Sequence, residues 1–350
     1  MFYAATLIVV VAFSTVPMLT VGAEPTVGAK SLPQSSSLSP AGIGPPTTAG
    51  SALALTPFGR VPRTCVQQVD AHGQLFSALG IADIILLSNG SQIRIPPCTE
   101  SNQAVPSAES TPVIPDGQGN SSRTPCWWGF GCSSGWVEYA TWCYCPRSPP
   151  AISEFDAYWR VPQPPSSHDG QTIFLFSALQ TNGVSSYPLA QPVLQWGNAA
   201  DGGGAYWTLN SWMLTSNNNV MYGTIQNVNA GDSITGIMYQ GASNCDANGA
   251  CDWDVRSFAQ PENSGTDVIC GNVNGNPACH VAMYDVSITL EAYGIVWCSD
   301  YPASSTTFAG LLVVSTNSIN LGPSWGTTVN GDGCGESITD ISSSGMTLNY

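Results

Sequence analysis

Short β-type runs separated by turn residues fill the chain from about Ser134 onward, and this pattern restricts the fold more than any other feature. The run Phe155–Val161 alternates apolar and polar side chains, and turn clusters such as Asn198–Gly204 and Asn229–Asp232 stand between runs. No pattern of ordinary helix length occurs here. Regularly spaced short strands predict an all-β fold, an antiparallel β-sandwich of jelly-roll type. The predicted strands are Phe155–Val161, Thr172–Leu179, Pro192–Trp196, Ala205–Leu214, Val220–Val228, Ser233–Tyr239, Val281–Ala292 and Thr307–Ser315.

The first third of the chain has a different composition and predicts a small N-terminal prosegment. Met1–Ala23 has the apolar stretch and the small-residue end of a secretory signal peptide. The apolar stretch, Ala4–Phe13, is shorter than the about 20 residues that a membrane span needs. The Ser- and Pro-rich composition of residues 24 to about 60 predicts disorder, and that of residues 99–125 predicts a linker. An apolar island at 61–98 lies between them. The predicted domains are a signal peptide (1–23), a propeptide with linker (24–133) and a β-sandwich domain (134–350).

Within the apolar island, local patterns predict two elements. Phe76–Leu87 favours a helix and Ser91–Ile95 a strand. Asn89 and Asn120 each begin an N-x-Ser sequon, as expected of an exported glycoprotein.

Twelve cysteines in a chain with a signal peptide predict disulfide bonds. Cys65 and Cys98 are placed to bridge the ends of the island. The pairs Cys245–Cys251 and Cys270–Cys279 are close enough in sequence to staple loops. Cys143 and Cys145 form C-x-C rather than C-x-x-C, and no His-rich half matches them, so the sequence favours disulfides over a zinc site.

Charge is sparse and strongly acidic. Only 9% of residues are charged, and 8 basic against 23 acidic residues give a formal net charge of −15. This balance argues against nucleic-acid and anionic-membrane partners. Only Arg147, Arg160 and Arg256 are basic after residue 134. With its carboxyls protonated, that segment would carry little positive charge, which predicts tolerance of acid.

Two polar side chains stand inside apolar strand-like runs. Gln195 lies between Leu194 and Trp196, and Glu291 lies in the run Thr289–Gly294. An amide and a carboxyl facing each other in a cleft are suited to acid–base hydrolysis, since the amide polarises a carbonyl and the carboxyl activates water.

The chain from about 134 to 350 resembles the eqolisin family, secreted glutamic endopeptidases with a glutamate–glutamine dyad on a β-sandwich. The resemblance rests on motif order over most of this span. It departs where the family has a glutamate and an early cleft tryptophan, at Ser211 and Phe174 respectively, and the segment between Gly241 and Asn276 has no clear counterpart. The matching motifs are Gly135–Trp142, Phe155–Pro162, Val193–Gly197, Ala205–Met213, Asn227–Ile234 and Ser287–Glu291.

The resemblance implies roles for individual residues. Gln195 and Glu291 take the catalytic positions. The aromatic residues expected at the substrate cleft are Phe174, Trp196, Tyr206, Trp207 and Trp212. The implied protein is a secreted, monomeric acid endopeptidase that acts on polypeptides without a cofactor. Its own propeptide, which carries five basic residues, would hold the acidic domain inactive near neutral pH.

Other interpretations remain open from the residues alone. In the first alternative the two residues have no catalytic role, and Gln195 is a core amide and Glu291 a solvated strand residue. Glu154 and Asp156, or Asp252 and Asp254, are spaced to share one strand face and could serve a glycoside hydrolase, which needs two carboxyls about 5 Å apart. A non-catalytic carbohydrate-binding sandwich is the third class.

Overall fold

Two large β-sheets make up most of the described chain, in a computed structural model. The described residues are 53–69, 74–78, 82–87, 89–98, 135–144, 151–181, 188–241, 245, 251–260, 264–270, 272–273, 276–277, 281–331 and 333–350. The predicted signal peptide, the Ser/Pro-rich residues up to 52, the linker at 99–133 and the sequon at Asn120 lie outside them. No helix in the described ranges is long and apolar enough to cross a membrane.

The N-terminal described segment is built from short strands and one 3-10 turn. Its elements are β1 (Leu53–Thr56), β2 (Gly59–Pro62), the 3-10 turn Arg63–Cys65, β3 (Val66–Gln68), β4 (Gln74–Ala78), β5 (Ala82–Leu86) and β6 (Gln92–Ile95).

The remaining elements are longer strands joined by turns. They are β7 (Gly135–Cys143), β8 (Ile152–Arg160), β9 (Thr172–Gln180), β10 (Leu189–Ala199), β11 (Gly202–Leu214), β12 (Val220–Tyr222), β13 (Gln226–Asn227), β14 (Ser233–Gln240), β15 (Trp253–Gln260), β16 (Ser264–Cys270), β17 (Asn272–Val273), β18 (Asn276–Pro277), β19 (Asp285–Tyr293), the 3-10 turn Cys298–Asp300, β20 (Thr306–Ser315), β21 (Gly326–Val329), β22 (Ser337–Ser342) and β23 (Gly345–Asn349).

The front sheet has the strand order β21-β7-β19-β9-β10-β11-β12-β3, with β13 also paired to β11. The back sheet has the order β22-β23-β20-β8-β14-β15-β16-β4-β5-β6. Pairing is antiparallel apart from β3–β12 and β4–β16, where the N-terminal segment joins each sheet in parallel. The all-β sandwich prediction is confirmed. Each of the eight predicted strands matches an observed one to within a few residues, although Val220–Val228 is divided into β12 and β13.

Alternation along the strands separates two apolar clusters. Side chains between the sheets form the main core, which includes Phe155, Trp159 and Leu175. A second cluster lies on the other face of the front sheet and includes Phe174 and Trp212. We call that face, which points away from the back sheet, the outer face of the front sheet.

The helix predicted at Phe76–Leu87 is wrong, because this stretch forms the antiparallel strands β4 and β5. Tertiary contacts override its local pattern. The carboxylate of Asp83, on β5, is fully buried and accepts hydrogen bonds from the side chains of Thr215, Asn217 and Asn219 in the turn after β11. These bonds fix β5 against the sandwich.

The segment between Gly241 and Asn276, which has no counterpart in the sequence resemblance, supplies β15 and β16 to the middle of the back sheet. The predicted disulfides Cys65–Cys98 and Cys245–Cys251 are confirmed. Cys298–Cys334 is a further bond. The predicted partner of Cys270, Cys279, lies outside the described residues.

Candidate active site

Gln195 and Glu291 lie opposite the same residue on two neighbouring strand pairs. Gln195 on β10 is the Cα partner of Phe174 on β9, and Glu291 on β19 is the partner of Phe174 from the other side. Directly opposed residues project from the same face of a sheet. The two side chains therefore share the outer face of the front sheet, with Cα atoms two strand spacings, or about 9–10 Å, apart.

Strand alternation explains why each polar residue sits in an apolar run. Leu194 and Trp196 flank Gln195 in sequence and point into the main core, as Leu290 and Ala292 do beside Glu291. A polar residue between two core residues must therefore point to the outer face.

The side chain of Gln195 is held by a tight turn between β10 and β11. Its Nε2 donates hydrogen bonds to the carbonyl oxygens of Gly197, at 3.1 Å, and Gly202, at 2.9 Å. Its Oε1 is buried without a hydrogen-bond partner among the described residues. Gly197 and Gly203 both have positive φ, and a Cβ on Gly203 would lie 2.6 Å from Nε2. The turn therefore needs glycine to approach this amide.

The carboxyl of Glu291 is 2% exposed and has few partners. The hydroxyl of Tyr293, two residues along the same strand face, donates a hydrogen bond to Oε1. Burial raises the pKa of Glu291 to about 8, although Tyr293 and the Trp136 side chain both oppose this increase. The acid is thus protonated below neutral pH in this covered arrangement.

A third polar group, which the sequence did not single out, lies beside Gln195. The Nδ2 of Asn210 donates a 2.9 Å hydrogen bond to the Asp201 carboxylate. Burial raises the pKa of Asp201 to about 6, while Asn210 and the Gln195 amide favour its ionised form. An acid with a raised pKa therefore lies beside Gln195, and Glu291 is itself an acid with a raised pKa.

The predicted aromatic residues divide between the two faces of the front sheet. Phe174 and Trp212 lie with the dyad candidates in the outer cluster. Tyr206 alternates with Thr208, the Cα partner of Gln195, and is 47% exposed on that face. Trp196 and Trp207, however, lie in the main core, where the rings contact each other edge to face. The sheet itself separates both indoles from a ligand on the outer face.

Ser211, where the eqolisin pattern has a glutamate, does not belong to the outer face. Its Oγ contacts Ser257 Oγ at 2.9 Å and donates to the Thr266 carbonyl oxygen, both in the back sheet. Ser211 therefore takes part in a connection between the two sheets.

The hairpin β1–β2 packs on the outer face of the front sheet. Phe58, in the turn of the hairpin, joins the outer cluster and contacts Trp212 edge to face, with ring centroids 6.4 Å apart. The Leu55 carbonyl accepts a 2.8 Å hydrogen bond from the Ala200 N–H. A cavity of about 290 Å³ remains beside it, between Arg60 and Tyr293. The candidate site is therefore covered in this conformation.

The alternative carboxyl pairs lie on the outer surface of the back sheet. Glu154 and Asp156 are on the strand face opposite the core residues Phe155 and Ala157. Burial and the neighbouring Glu154 raise the pKa of Asp156 to about 7. Asp254, from the second pair, is instead neutralised by Arg256 at 2.6 Å.

Asp201, Tyr293 and Trp136 were not predicted as site residues. Tyr293 is two positions after Glu291, so the period of a strand places it on the same face, and this spacing could have identified it. Asp201 lies in a Gly-rich turn whose composition indicated only a turn. Its contact with Asn210 depends on the β10–β11 pairing, which the sequence does not specify.

Comparisons with known proteins give structural likenesses only. No family model matches the chain, and no curated protein matches it. Scytalido-glutamic peptidase in complex with a peptide-based transition-state analogue is 12% identical with a TM-score of 0.41, covering 62% of this chain and 98% of that one. SCP-B, described as an eqolisin family member, is 11% identical over the same shares with a TM-score of 0.38.

An alginate lyase from Aplysia kurodai is 12% identical, with a TM-score of 0.18, over 47% of this chain and 72% of that one. At such identities and TM-scores, the function has to be argued from the residues of the site itself.

Proposed function

We propose that this protein is a secreted acid endopeptidase that hydrolyses polypeptides with Glu291 and Gln195. The observation that carries the proposal is that both residues are the Cα partners of Phe174 and point to the same face of the front sheet. A peptide bond bound above Phe174 would lie between a carboxyl and an amide. These are the two groups that hydrolysis by an activated water needs.

In the proposed reaction, Glu291, which is ionised once the site has been uncovered, takes a proton from a water whose oxygen attacks the scissile carbonyl carbon. The C–N bond of the tetrahedral intermediate then breaks as Glu291 returns that proton to the leaving nitrogen. The Gln195 amide donates an N–H to the oxyanion and gives up its hydrogen bond to the Gly197 carbonyl, the longer of its two present bonds. Its unpaired Oε1 is suited to accept a hydrogen bond from the attacking water.

Acid conditions fit the titration of the fold. Glu138 and Asp156 both have raised pKa values because they are buried, so their neutral forms are favoured at low pH. The scarcity of basic residues limits positive self-repulsion when carboxyls protonate. Export fits the disulfide bonds. We place the mature enzyme after a propeptide that ends near residue 133.

The test is cleavage of denatured casein by the full-length protein between pH 2 and 7, with products identified by mass spectrometry. Wild type, Glu291→Gln, Gln195→Ala and Glu154→Gln are compared, each also with Phe58→Ala to uncover the site. Cleavage that Glu291→Gln and Gln195→Ala abolish and Glu154→Gln preserves supports the proposal. Turnover by Glu291→Gln, or none by Phe58→Ala at any pH, overturns it.

A glycoside hydrolase on the back sheet is the second candidate. The pKa of Asp156 is raised to about 7 beside Glu154, as expected of a general acid beside a second carboxyl. A groove of about 600 Å³ starts at the next outward residue, Tyr158, which is 44% exposed. Release of sugar from β-glucan that Glu154→Gln abolishes and Glu291→Gln preserves would favour this candidate.

A further inference from the structure

The hairpin β1–β2 is only loosely joined to the face that it covers. It forms a two-stranded sheet of its own and adds no strand to either large sheet. Among the described residues, its single backbone hydrogen bond to β10–β11 joins Leu55 and Ala200. Its contacts with the outer face also include the ring contact of Phe58 with Trp212 and the charge of Arg60 near Tyr293. Such an element can leave without breaking a ladder of sheet hydrogen bonds.

Phe58 anchors the hairpin. The Thr56 hydroxyl accepts the Phe58 N–H at 3.1 Å and donates to the Gly59 carbonyl at 2.8 Å, which fixes the turn that presents the ring. The ring is 8% exposed and belongs to the outer cluster with Trp212 and Phe174. Phenylalanine is among the side chains whose burial is most favourable, so this residue carries much of the hairpin's attachment.

The hairpin leaves polar atoms on the covered face without partners. Oε1 of Gln195, Oε2 of Glu291 and both amide atoms of Gln191 have no hydrogen-bond partner among the described residues. Gln191 lies opposite Trp212, the residue that Phe58 contacts. Buried polar groups normally have partners, and a bound peptide backbone carries both donors and acceptors to supply them. The hairpin therefore fills the apolar part of the face and leaves its polar part unmet.

We propose that the β1–β2 hairpin is a built-in ligand of this face. Phe58 occupies the subsite for a substrate side chain, formed by Trp212, Phe174 and their apolar neighbours. The site accordingly takes extended peptides with a large apolar residue, and only after the hairpin has moved away. This inference rests on the proposed peptidase function for the meaning of the subsite, but the competition itself is independent of turnover.

The anchoring of the following residues limits how the hairpin can move. Cys65, directly after it, is bonded to Cys98, and β3 pairs with β12 in the front sheet. The hairpin would therefore pivot about residues 62–64, while the segment from Cys65 onward stays in place.

The test measures binding of a fluorescein-labelled hexapeptide with a central phenylalanine to the full-length Glu291→Gln protein, which blocks turnover. Adding Phe58→Ala should tighten binding at least about tenfold, because the competing ring is gone. Phe58→Leu, which keeps an apolar side chain, should change it much less. The same peptide with a central serine should bind weakly to all three proteins.

A second measurement needs no change in the hairpin. In Glu291→Gln, saturating phenylalanine peptide should speed hydrogen exchange at the amides of β1 and β2 and leave β3 unaffected. Equal affinity with and without Phe58→Ala, or unchanged hairpin exchange on binding, overturns the inference. Phe58→Ala could tighten peptide binding while the Phe58→Ala protein with Glu291 intact fails to cleave casein. That result would retain the hairpin inference and refute the peptidase proposal.

Discussion

Tyr293 donates its hydroxyl hydrogen to the Glu291 carboxyl from two positions further along the same strand face. A donor to a carboxylate stabilises the ionised form, and Tyr293 accordingly lowers the pKa that burial raises. The pKa of the proposed base is thus lowered by a neighbour on its own strand. This contact makes the pH profile of the reaction a direct probe of the site.

Tyr293→Phe should move the acid limb of kcat/KM upward by about half to one pH unit, because the loss of the donor raises the pKa of Glu291. The profile is measured in the uncovered Phe58→Ala background with a fluorogenic peptide. Tyr158→Phe, on the back sheet, serves as the matched loss of a hydroxyl and should leave the limb in place. An unmoved limb in Tyr293→Phe would exclude Glu291 as the titrating base.

In the full-length protein, which retains the hairpin that the proposed mature enzyme has lost, hairpin opening should increase with pH between about 4.5 and 8. In the covered state, burial raises the pKa of Glu291 to about 8 from its ordinary value of 4.5. The covered state therefore holds a proton that an uncovered carboxyl releases, so the covered state is favoured below pH 4.5 and loses that advantage as pH rises to 8. The Tyr293 and Trp136 side chains act on Glu291 through hydrogen bonds, and the charge of Arg60 acts on Tyr293.

Hydrogen exchange at the β1–β2 amides, corrected for intrinsic rates, measures this opening. Wild type should lose at least about tenfold in protection across this range, and Glu291→Gln should show a flat profile. The charge balance of a basic propeptide on an acidic domain predicts the reverse trend, with release at low pH. Greater opening at pH 4 than at pH 7 would support that electrostatic model and contradict the Glu291 linkage.

The sequence predicted the sandwich because strand alternation and turn chemistry are local properties. It also indicated that Gln195 and Glu291 both point away from the core, since each is a polar residue between two core residues of a strand. The aromatic strand was less well specified. Trp207 and Trp212 are five residues apart and so face opposite sides of β11, and family resemblance alone did not separate them.

Long-range contacts account for what the sequence did not predict. Phe76–Leu87 has an apolar pattern compatible with a helix, and its strand pairing depends on β16, almost 200 residues away. Nothing local to Phe58 indicates that it covers Trp212. The hairpin is separated by more than 100 residues from the strands beneath it, and only their register brings the two together.

Gly203→Ala should disable the Gln195 amide. The new Cβ would lie 2.3 Å from the Gly197 carbonyl oxygen and 2.6 Å from Gln195 Nε2, at a φ of +102°. Since the backbone carbonyl is fixed, the amide and its turn must move. We expect at least about a hundredfold loss of kcat.

Gly202→Ala is the matched control for this change. Its φ is +108°, which carries a similar backbone strain, but nothing lies within 4 Å of its Cβ. Gly202→Ala should lose about 1 kcal/mol of stability through backbone strain, and Gly203→Ala should lose more because its Cβ also meets the Gly197 carbonyl oxygen. At a temperature where both variants are folded, only Gly203→Ala should lose turnover in the Phe58→Ala background. Equal activity of the two variants would show that the position of the Gln195 amide does not matter for the reaction.

Glu138 should make the fold less stable as the pH rises. It is fully buried on β7, and burial together with the nearby charge of Glu336 raises its pKa to about 9, against a partial opposing effect from the Ser337 backbone. The folded state binds a proton that the unfolded chain releases near its ordinary value of 4.5. The stabilisation is therefore complete below pH 4.5 and is lost as pH rises towards 9.

Glu138→Gln keeps the shape of the side chain and removes its charge. Its free energy of unfolding should therefore be about 1–3 kcal/mol higher than that of wild type at pH 7.5 and the same at pH 3. Thermal and denaturant unfolding at the two pH values measure the difference. Asp340→Asn, at an exposed position, should leave stability unchanged at both. A Glu138→Gln protein that is less stable than wild type at pH 7.5 would mean that the carboxylate is accommodated in its ionised form, and would remove the main structural reason for an acid-adapted fold.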